Sequence, residues 1–337
     1  SSYVRPNEDI ETAVGQVARR LEAPVMTDVV IAFQFDEKPK PERGKPVSRI
    51  YPRGKLDLFA GEQLVLVGRY KKAGKVKVAI TGRVEGEEQR LAFPARLVRK
   101  SNDDSQAFIE KLWAVRRVGE IIDQLDLEGE NEELVEELVK LSKRHGILTP
   151  YTSFMADETT RLDDLAGQRR RAVRRLHRGL AQTSGASGVL QRRLKGGLQR
   201  ATRFDFRAPA AEAADAMDAA AAPAATGAAR PSPGQIAGRP GGAGQAAPRA
   251  PGTVSGELQQ AEETIRQVGN RTFYRRDGQW IDSRLTEKQQ EDPERVKQFS
   301  DRYFELARKH GRELSQYLAF DEPVLLEVEG RAYLIEP

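Results

Sequence analysis

The sequence of 337 residues predicts an α+β protein that joins half of an antiparallel β-sandwich to an αα-hairpin, a long disordered linker and a small ββαββ C-terminal module. Three patterns predict this class. Apolar residues recur with a period of two over 25–98 and with a helical period over 105–145, and Ala, Pro and Gly dominate 208–252. The boundaries that we predict are 1–22 for a terminal helix, 23–100 for the β-sandwich segment, 101–155 for the helical hairpin, 156–268 for a basic helix and flexible linker, and 269–337 for the small α+β module.

The N-terminal segment has the pattern of one helix followed by short strands. Over 7–21, Asn7 or Asp9 can cap a helix that Pro24 ends. The β-rich runs that follow are VMTDVVIAFQF, VSRIY, EQLVLVGRY, KVKVAITGRV and RLAFPARLV, which indicate an antiparallel sheet or half of a sandwich. The intervening stretch PRGKLDLFAGEQ is unusually apolar for a loop, so we expect Leu56, Leu58 and Phe59 to pack against the sheet.

Two amphipathic helices are predicted next, joined by a short connector. The second is capped by Asn131, carries acids in its first turn and bases in its last, and ends at Gly146. The expected core residues are Phe108, Ile109, Leu112, Val115, Ile122 and Leu125 in the first helix, with Trp113 beside them, and Leu134, Val135, Leu138 and Leu141 in the second. The hydroxyl-rich stretch HGILTPYTSF follows. Because Pro150 prevents the helix from resuming, we interpret this stretch as the exit from the folded core, with its hydroxyls bonded to the local backbone.

The net charge of +5 conceals a basic insert. Residues 161–207 contain 13 Lys and Arg against 3 Asp and Glu, an excess of +10, so the remainder carries about −5. A helix predicted over 159–182 holds the candidate anion-binding or partner-binding residues, which are Arg169, Arg170, Arg171, Arg174, Arg175 and Arg178. They are explained either as a solvated charge run or as a site for nucleic acid or anionic lipid. Sequence-specific reading of nucleic acid is disfavoured, because aromatic residues for base stacking are absent before Phe204 and Phe206.

The C-terminal segment predicts two hairpins around a helix. Asp277-Gly278 between aromatic-rich runs is a strong type I′ turn signal, and Glu329-Gly330 marks the second hairpin. The helix is expected from about residue 293, with Pro293 at its first position.

The residue content predicts no catalytic residue, no cofactor and no metal site. There is no cysteine, which excludes disulfides and thiol chemistry. His145, His177 and His310 lack metal-ligand spacing, and His145 and His310 are expected near helix C-termini, where an imidazolium complements the dipole. The acids of 126–134 do not follow the calcium-loop pattern and are explained as first-turn residues near Asn131. No apolar run is long enough to predict a transmembrane segment, and the start of the chain has no signal-peptide pattern.

Several blocks of this sequence, and the order in which they occur, resemble sequences of a known family. EDIETAVGQVARRLEAPVMTDVVIAF, LDLFAGEQLVLVGRY and FIEKLWAVRRVGEIIDQLDLEGENEELVEELVKLSKRHGILTPYTSF resemble the region that follows the von Willebrand factor A (vWA) domain in bacterial VIT/vWA proteins, relatives of inter-alpha-trypsin inhibitor heavy chains. The resemblance covers about 1–156, and the last hairpins look like the C-terminal extension of bacterial members.

The resemblance implies an architecture. Residues 1–22 would hold the last helix of a truncated vWA domain, and 23–100 would be the returning half of a β-sandwich that a preceding VIT domain completes. Metal binding in the family needs D-x-S-x-S on the vWA domain. The nearest string, Asp103-Asp104-Ser105-Gln106-Ala107, lacks the second Ser, so no metal site is carried over.

The resemblance also implies a function. We expect a non-enzymatic interaction or scaffold protein of the VIT/vWA type, secreted or at the cell envelope, that acts in adhesion or protein binding. Its partners would be another protein or matrix component and its own VIT and vWA domains, with no specific nucleic acid. The alternative is a binder of nucleic acid or anionic membrane through 161–207.

Overall fold

A computed structural model describes residues 11, 24–36, 45–60, 63–99, 106–180, 192, 195–199, 201, 260–261, 263–318 and 320–337. It contains helices, antiparallel sheets and a C-terminal mixed sheet with helices, so the predicted α+β class is confirmed. Two predictions fall largely outside the described residues. They are the helix over 7–21, of which only Glu11 is described and is helical, and the Ala/Pro/Gly-rich linker of 208–252.

The N-terminal region forms one four-stranded sheet and a separate two-stranded ribbon. The strands are β1 (Met26–Phe35), β2 (Val47–Tyr51), β3 (Leu56–Leu58), β4 (Val67–Tyr70), β5 (Gly74–Val84) and β6 (Glu87–Leu97). The sheet is antiparallel in the order β3-β1-β5-β6, and β2 pairs with β4. Each predicted period-two run contains a strand. Leu56 and Leu58, which we expected on the sheet, lie within it, because β3 hydrogen-bonds to the otherwise open edge of β1.

The predicted helical hairpin is present as α1 (Ala107–Glu128) and α2 (Glu132–His145). Asn131 caps α2 as predicted, because its side-chain oxygen accepts the Leu134 N–H, and Gly146 ends the helix in the left-handed region at φ 63°. Phe108 and Ile109 were predicted in the core, and that prediction is wrong. They are 52% and 44% exposed, since the first turn of α1 lies outside the packed region.

Helix α1 is enclosed on all sides through its middle. Every residue from Lys111 to Gly119 is buried, including those on the polar side of the helix. The β2-β4 ribbon, α2 and a helical turn at 195–199 cover it. The helical turn at 195–199 can approach α1 this closely because residue 119 is glycine; a Cβ there would lie 2.9 Å from the Cβ of Leu198. Part of the segment that we assigned to the basic helix and linker therefore packs on the core.

The stretch HGILTPYTSF lies inside the core, although we interpreted it as the exit from the core. Residues 147–156 are all buried and include a 3-10 turn, Ser153–Ala156, that precedes α3 (Leu165–Leu180). The predicted local bonding is present, since Thr152 Oγ1 accepts the Thr149 N–H at 3.0 Å. Elements that come later in the chain then cover the stretch.

The C-terminal module is larger than the predicted ββαββ unit. It contains β7 (Ile265–Val268), β8 (Arg271–Arg276), β9 (Gln279–Asp282), α4 (Glu287–Glu291), β10 (Glu294–Lys297), α5 (Asp301–Ser315), β11 (Val324–Val328) and β12 (Arg331–Glu336). The mixed sheet has the order β10-β12-β11-β9-β8-β7. Both predicted hairpin turns are confirmed, with positive φ at Asp277-Gly278 and at Glu329-Gly330.

The start of the C-terminal helix was predicted wrongly. The residues after Pro293 form strand β10, and α5 begins at Asp301, where Ser300 accepts the Tyr303 N–H as the cap. A proline fits before an edge strand as well as at the first position of a helix. Val296 is buried in the sheet and holds this segment extended.

The module is joined to the helical region by hydrogen bonds to the end of α2. The Tyr274 hydroxyl donates to Lys143 O at 2.8 Å, Gln267 Nε2 to His145 O at 3.1 Å and Ser283 Oγ to Arg144 O at 3.2 Å. A helix leaves its last carbonyls without intrahelical donors, so β7, β8 and the segment after β9 cap α2. The hydrophobic cluster of α1 and α2 includes Ile265 and Tyr274, and therefore crosses the boundaries that we predicted at 155/156 and 268/269.

Candidate functional site

One face of the first sheet is apolar. The register of β1, β5 and β6 aligns their residues in cross-strand rows, and residues that pair across antiparallel strands project to the same side. The rows are Ile31, Ile80 and Leu91, then Phe33, Val78 and Phe93, then Phe35, Val76 and Ala95. We call these nine residues the apolar face.

The apolar face lacks a second layer in the part of the chain that the structure describes. No helix or strand described there makes an extensive contact with β5 or β6 apart from their neighbours in the sheet. The β6 members of the face are exposed, with Leu91 at 48% and Phe93 at 51%. Its β1 and β5 members are half-buried, except Val76, which is buried. A sheet face of this composition normally packs on another sheet about 10 Å away.

The opposite face of the same sheet is basic and exposed. Its charged residues on β5 and β6 are Lys75, Lys77, Arg83, Glu88, Arg90 and Arg96, and all six are exposed. The sheet thus has the polar outer face and the apolar inner face of a sandwich half.

The six candidate arginines are all on α3, but they do not form one site. Three of them contact other parts of the fold. Arg169 pairs with Glu132 at 3.3 Å, Arg171 donates to Thr160 Oγ1 at 2.9 Å, and Arg175 donates to Pro150 O at 3.4 Å. The guanidinium groups of Arg171 and Arg175 also lie over the ring of the buried Phe154, at 5.9 and 5.3 Å.

The other three arginines form a surface stripe. Arg170, Arg174 and Arg178 are exposed at intervals of four residues, which places them on one side of α3. None of them makes an ion pair with another described residue. We call them the exposed arginine stripe. Because half of the candidate set is used within the fold, the surface available to a polyanion is narrower than the sequence implied.

The histidines do not form a site together. His177 contacts Glu130 at 2.8 Å on the surface, and His310 lies 3.8 Å from Glu329. His145 is buried at the end of α2, where we expected an imidazolium. Burial, together with the charges of Arg144, Lys111 and Arg284, lowers its pKa to about 4, against the opposing effect of Glu110. His145 is therefore neutral at pH 7. No group of three or more metal-ligating side chains occurs among the described residues.

Two buried arginines in the middle of α1 were missed by the sequence analysis. Arg116 donates to the carbonyl oxygens of Tyr51, Val65 and Ala201 at 2.6–2.9 Å, and burial lowers its pKa. Arg117 forms a bidentate ion pair with Glu137 on α2. In the sequence both arginines belong to the polar side of an amphipathic helix, and nothing local marks them as buried.

Comparisons with known proteins identify no relative of this chain. A scan against protein-family models found no match, and searches of curated proteins and of solved structures found no significant similarity. Among the described residues, no helix is both long enough and apolar enough to cross a membrane.

Proposed function

We propose that this chain is the C-terminal portion of a VIT/vWA-type protein and acts as a non-enzymatic interaction or scaffold unit. The observation that carries the proposal is the apolar face of the first sheet, which is exposed along β6. Its occupant would be the apolar sheet of the VIT domain of the same protein. The resemblance further implies a location outside the cell or at its envelope, with another protein or a matrix component as the external partner.

The chemistry of the apolar face favours a β-sheet as its occupant. The nine side chains stand in three rows without a charged group, and the basic residues of these strands all project to the other side. A second sheet that packs at about 10 Å would bury all three rows together, as in a sandwich. The face therefore fits the role that the resemblance assigns to 23–100, which is to complete a sandwich with strands from another domain.

Burial of a single exposed side chain of this face by a partner would contribute a large free energy of binding. A phenylalanine side chain offers about 200 Å² of surface. Phe93 is 51% exposed, so its burial by a partner would remove about 100 Å² from water and contribute about 2–3 kcal/mol. Leu91 would add an amount of the same order.

The test uses the complete 337-residue chain, because 1–156 shares its core with later elements. We expect the chain to bind anilinonaphthalene sulfonate, a dye that fluoresces on apolar surfaces, and to self-associate in analytical ultracentrifugation. Leu91→Lys with Phe93→Lys should abolish both signals. Ala92→Lys is the matched control, since Ala92 is exposed on the same strand but projects to the basic face, and it should leave both signals unchanged.

A chain that is monomeric and silent to the dye would overturn the proposed open face. The family part is tested separately by the coding sequence upstream of Ser1. A VIT block and a vWA domain with D-x-S-x-S there would support it, and an unrelated upstream sequence would contradict it.

The alternative function, binding of nucleic acid or anionic membrane through 161–207, has weaker support. Three of the six candidate arginines on α3 contact α2 or the buried segment that precedes α3. Among the six candidate arginines on α3, only the exposed arginine stripe lacks a contact with another described part of the fold, so the affinity that these six can supply through counterion release would be small.

A further inference from the structure

A cavity of about 320 Å³ lies between β4, the first turns of α1 and the last turn of α2. This volume falls in the range of small-molecule sites in proteins. The cavity is separate from the apolar face of the first sheet, because none of its lining residues belongs to β1, β5 or β6. An inference about it therefore stands independently of the proposed function.

One side of the cavity is apolar and rigid. Trp113 forms a wall, and its indole N–H donates to Arg49 O at 3.1 Å, which fixes the ring. Ile109 and Leu141 complete this side, and Ile109 is 44% exposed at the mouth. A planar or branched apolar group of a ligand would bury its surface here.

The other side of the cavity carries an excess of positive charge. The Arg69 guanidinium lies 5.2 Å from the centre of the Trp113 ring and has no carboxylate partner among the described residues. Arg144 approaches the Glu110 carboxylate at 3.4 Å, which is longer than a well-formed charged hydrogen bond. His145 completes the lining and is neutral, as shown above. Two guanidinium groups and one carboxylate leave a formal excess of one positive charge, which matches a monoanion.

We infer that this cavity binds a carboxylate carried on an aromatic or branched aliphatic group. The carboxylate would lie between Arg69 and Arg144, where guanidinium groups can donate paired hydrogen bonds. The apolar group would rest on Trp113, Ile109 and Leu141. A doubly charged phosphate fits less well, because it would leave the site with a net negative charge. The carboxylate can come from a free acid or from the C-terminus of a peptide that ends in an apolar residue.

Trp113 provides a direct assay. The chain has two tryptophans, and Trp280→Phe leaves Trp113 as the only one. Trp280 Nε1 has no hydrogen-bond partner among the described atoms, so this change breaks no hydrogen bond described there. We expect phenylbutyrate to change Trp113 fluorescence saturably, and the neutral phenylbutyramide to bind about fivefold more weakly or worse. Calorimetric titration of the unaltered chain repeats the measurement independently of the Trp280 change.

Two substitutions with opposite expected effects make the assay specific. Arg144→Gln should weaken phenylbutyrate binding about fivefold, because it removes one donor of the carboxylate. Glu110→Gln should tighten it, because it removes the carboxylate that competes for Arg144. Arg178→Gln on α3 is the matched control and should have no effect, because Arg178 is exposed outside the cavity. Structural damage would weaken binding in both cavity variants, so it cannot mimic this pattern.

Equal affinity for the acid and the amide would overturn the inference, and so would the absence of saturable binding. An effect of Arg178→Gln as large as that of Arg144→Gln would also overturn it, because binding would then reflect overall charge. A tetrapeptide that ends in phenylalanine separates the two sources. If it binds more tightly than phenylbutyrate the site takes a chain terminus, and the opposite order assigns it to a free acid.

Discussion

Replacing Tyr274 by phenylalanine removes one oxygen atom from the joint between the C-terminal module and α2. The hydroxyl is fully buried and donates to Lys143 O at 2.8 Å, with Ser142 O at 3.3 Å. Burial raises the pKa of Tyr274, so the hydroxyl is protonated and is a donor at neutral pH. The ring itself stays in place in the phenylalanine variant, and the change therefore tests the hydrogen bond alone.

The expected loss follows from the burial of this bond. A neutral hydrogen bond contributes about 0.5–1.5 kcal/mol, and a buried carbonyl left without a donor adds to the loss. We therefore expect the free energy of unfolding to fall by about 1–2 kcal/mol. For a folded region of this size, that loss lowers the melting temperature by about 2–8 °C.

The two tryptophans report the two cores separately. Trp113 belongs to the cluster built on α1 and α2, and Trp280 belongs to the cluster of the C-terminal sheet. Single-tryptophan chains with Trp280→Phe or Trp113→Phe allow each core to be followed by fluorescence during thermal unfolding. If the joint couples the cores, Tyr274→Phe shifts both transitions by the same amount. Tyr333→Phe is the matched control, because the Tyr333 hydroxyl makes no hydrogen bond among the described residues.

One result would refute this reasoning. If Tyr274→Phe lowered only the Trp280 transition and left the Trp113 transition in place, the module and the helical region would unfold independently. The hydrogen bonds to the end of α2 would then not couple the two cores.

Three further predictions follow from the described contacts. The pKa of His145 falls from 6.5 to about 4 on folding. As the pH falls through this window, the unfolded chain takes up the proton before the folded chain does, so the free energy of unfolding decreases, by on the order of 2–3 kcal/mol. The His145→Gln variant should lack this part of the acid dependence when stability is measured by urea titration at several pH values. Glu137→Gln leaves the buried Arg117 without its carboxylate and should cost about 2–4 kcal/mol in chemical unfolding, whereas Glu136→Gln, in an exposed pair one residue earlier, should leave the midpoint unchanged. Replacing the exposed arginine stripe by Gln should not move the melting temperature, whereas Arg175→Gln should cost about 1 kcal/mol. Titration of duplex DNA and of anionic vesicles at low salt, with the unaltered chain and with the stripe variant, tests the alternative function. If the unaltered chain binds strongly and in a salt-sensitive way, and the stripe variant loses this binding completely, the result favours the alternative function over the scaffold proposal.

Local sequence signals predicted the elements whose conformation depends on neighbouring residues. Alternation along β1 and β5, the Asn131 cap and the Asp277-Gly278 turn all follow from steric and hydrogen-bonding rules over a few residues. The apolar face also follows from this alternation. Whether the face is covered could not be predicted, because coverage depends on a second layer that periodicity does not describe.

The errors arose where distant segments decide the structure. Arg116 and Arg117 appear as the polar side of a helix, and they are buried because carbonyl oxygens and a carboxylate from other elements meet them. Pro293 permits a helix or a strand, and the buried Val296 in β10 decides for the strand. The arginines of α3 could not be divided into structural and exposed sets until Phe154 was known to lie beneath two of them.

The enclosure of α1 has a consequence for synthesis of the chain. Lys111 bonds to Gln267, 156 positions later, and Tyr274 reaches Ser142 across 132 positions. A ribosome therefore completes α1 and α2 long before the residues that finish their burial emerge. Contacts of such high sequence separation slow folding. A premature stop before Gln267 would leave the last carbonyls of α2 without the donors that cap them, so a truncated product would expose an unfinished core to proteolysis.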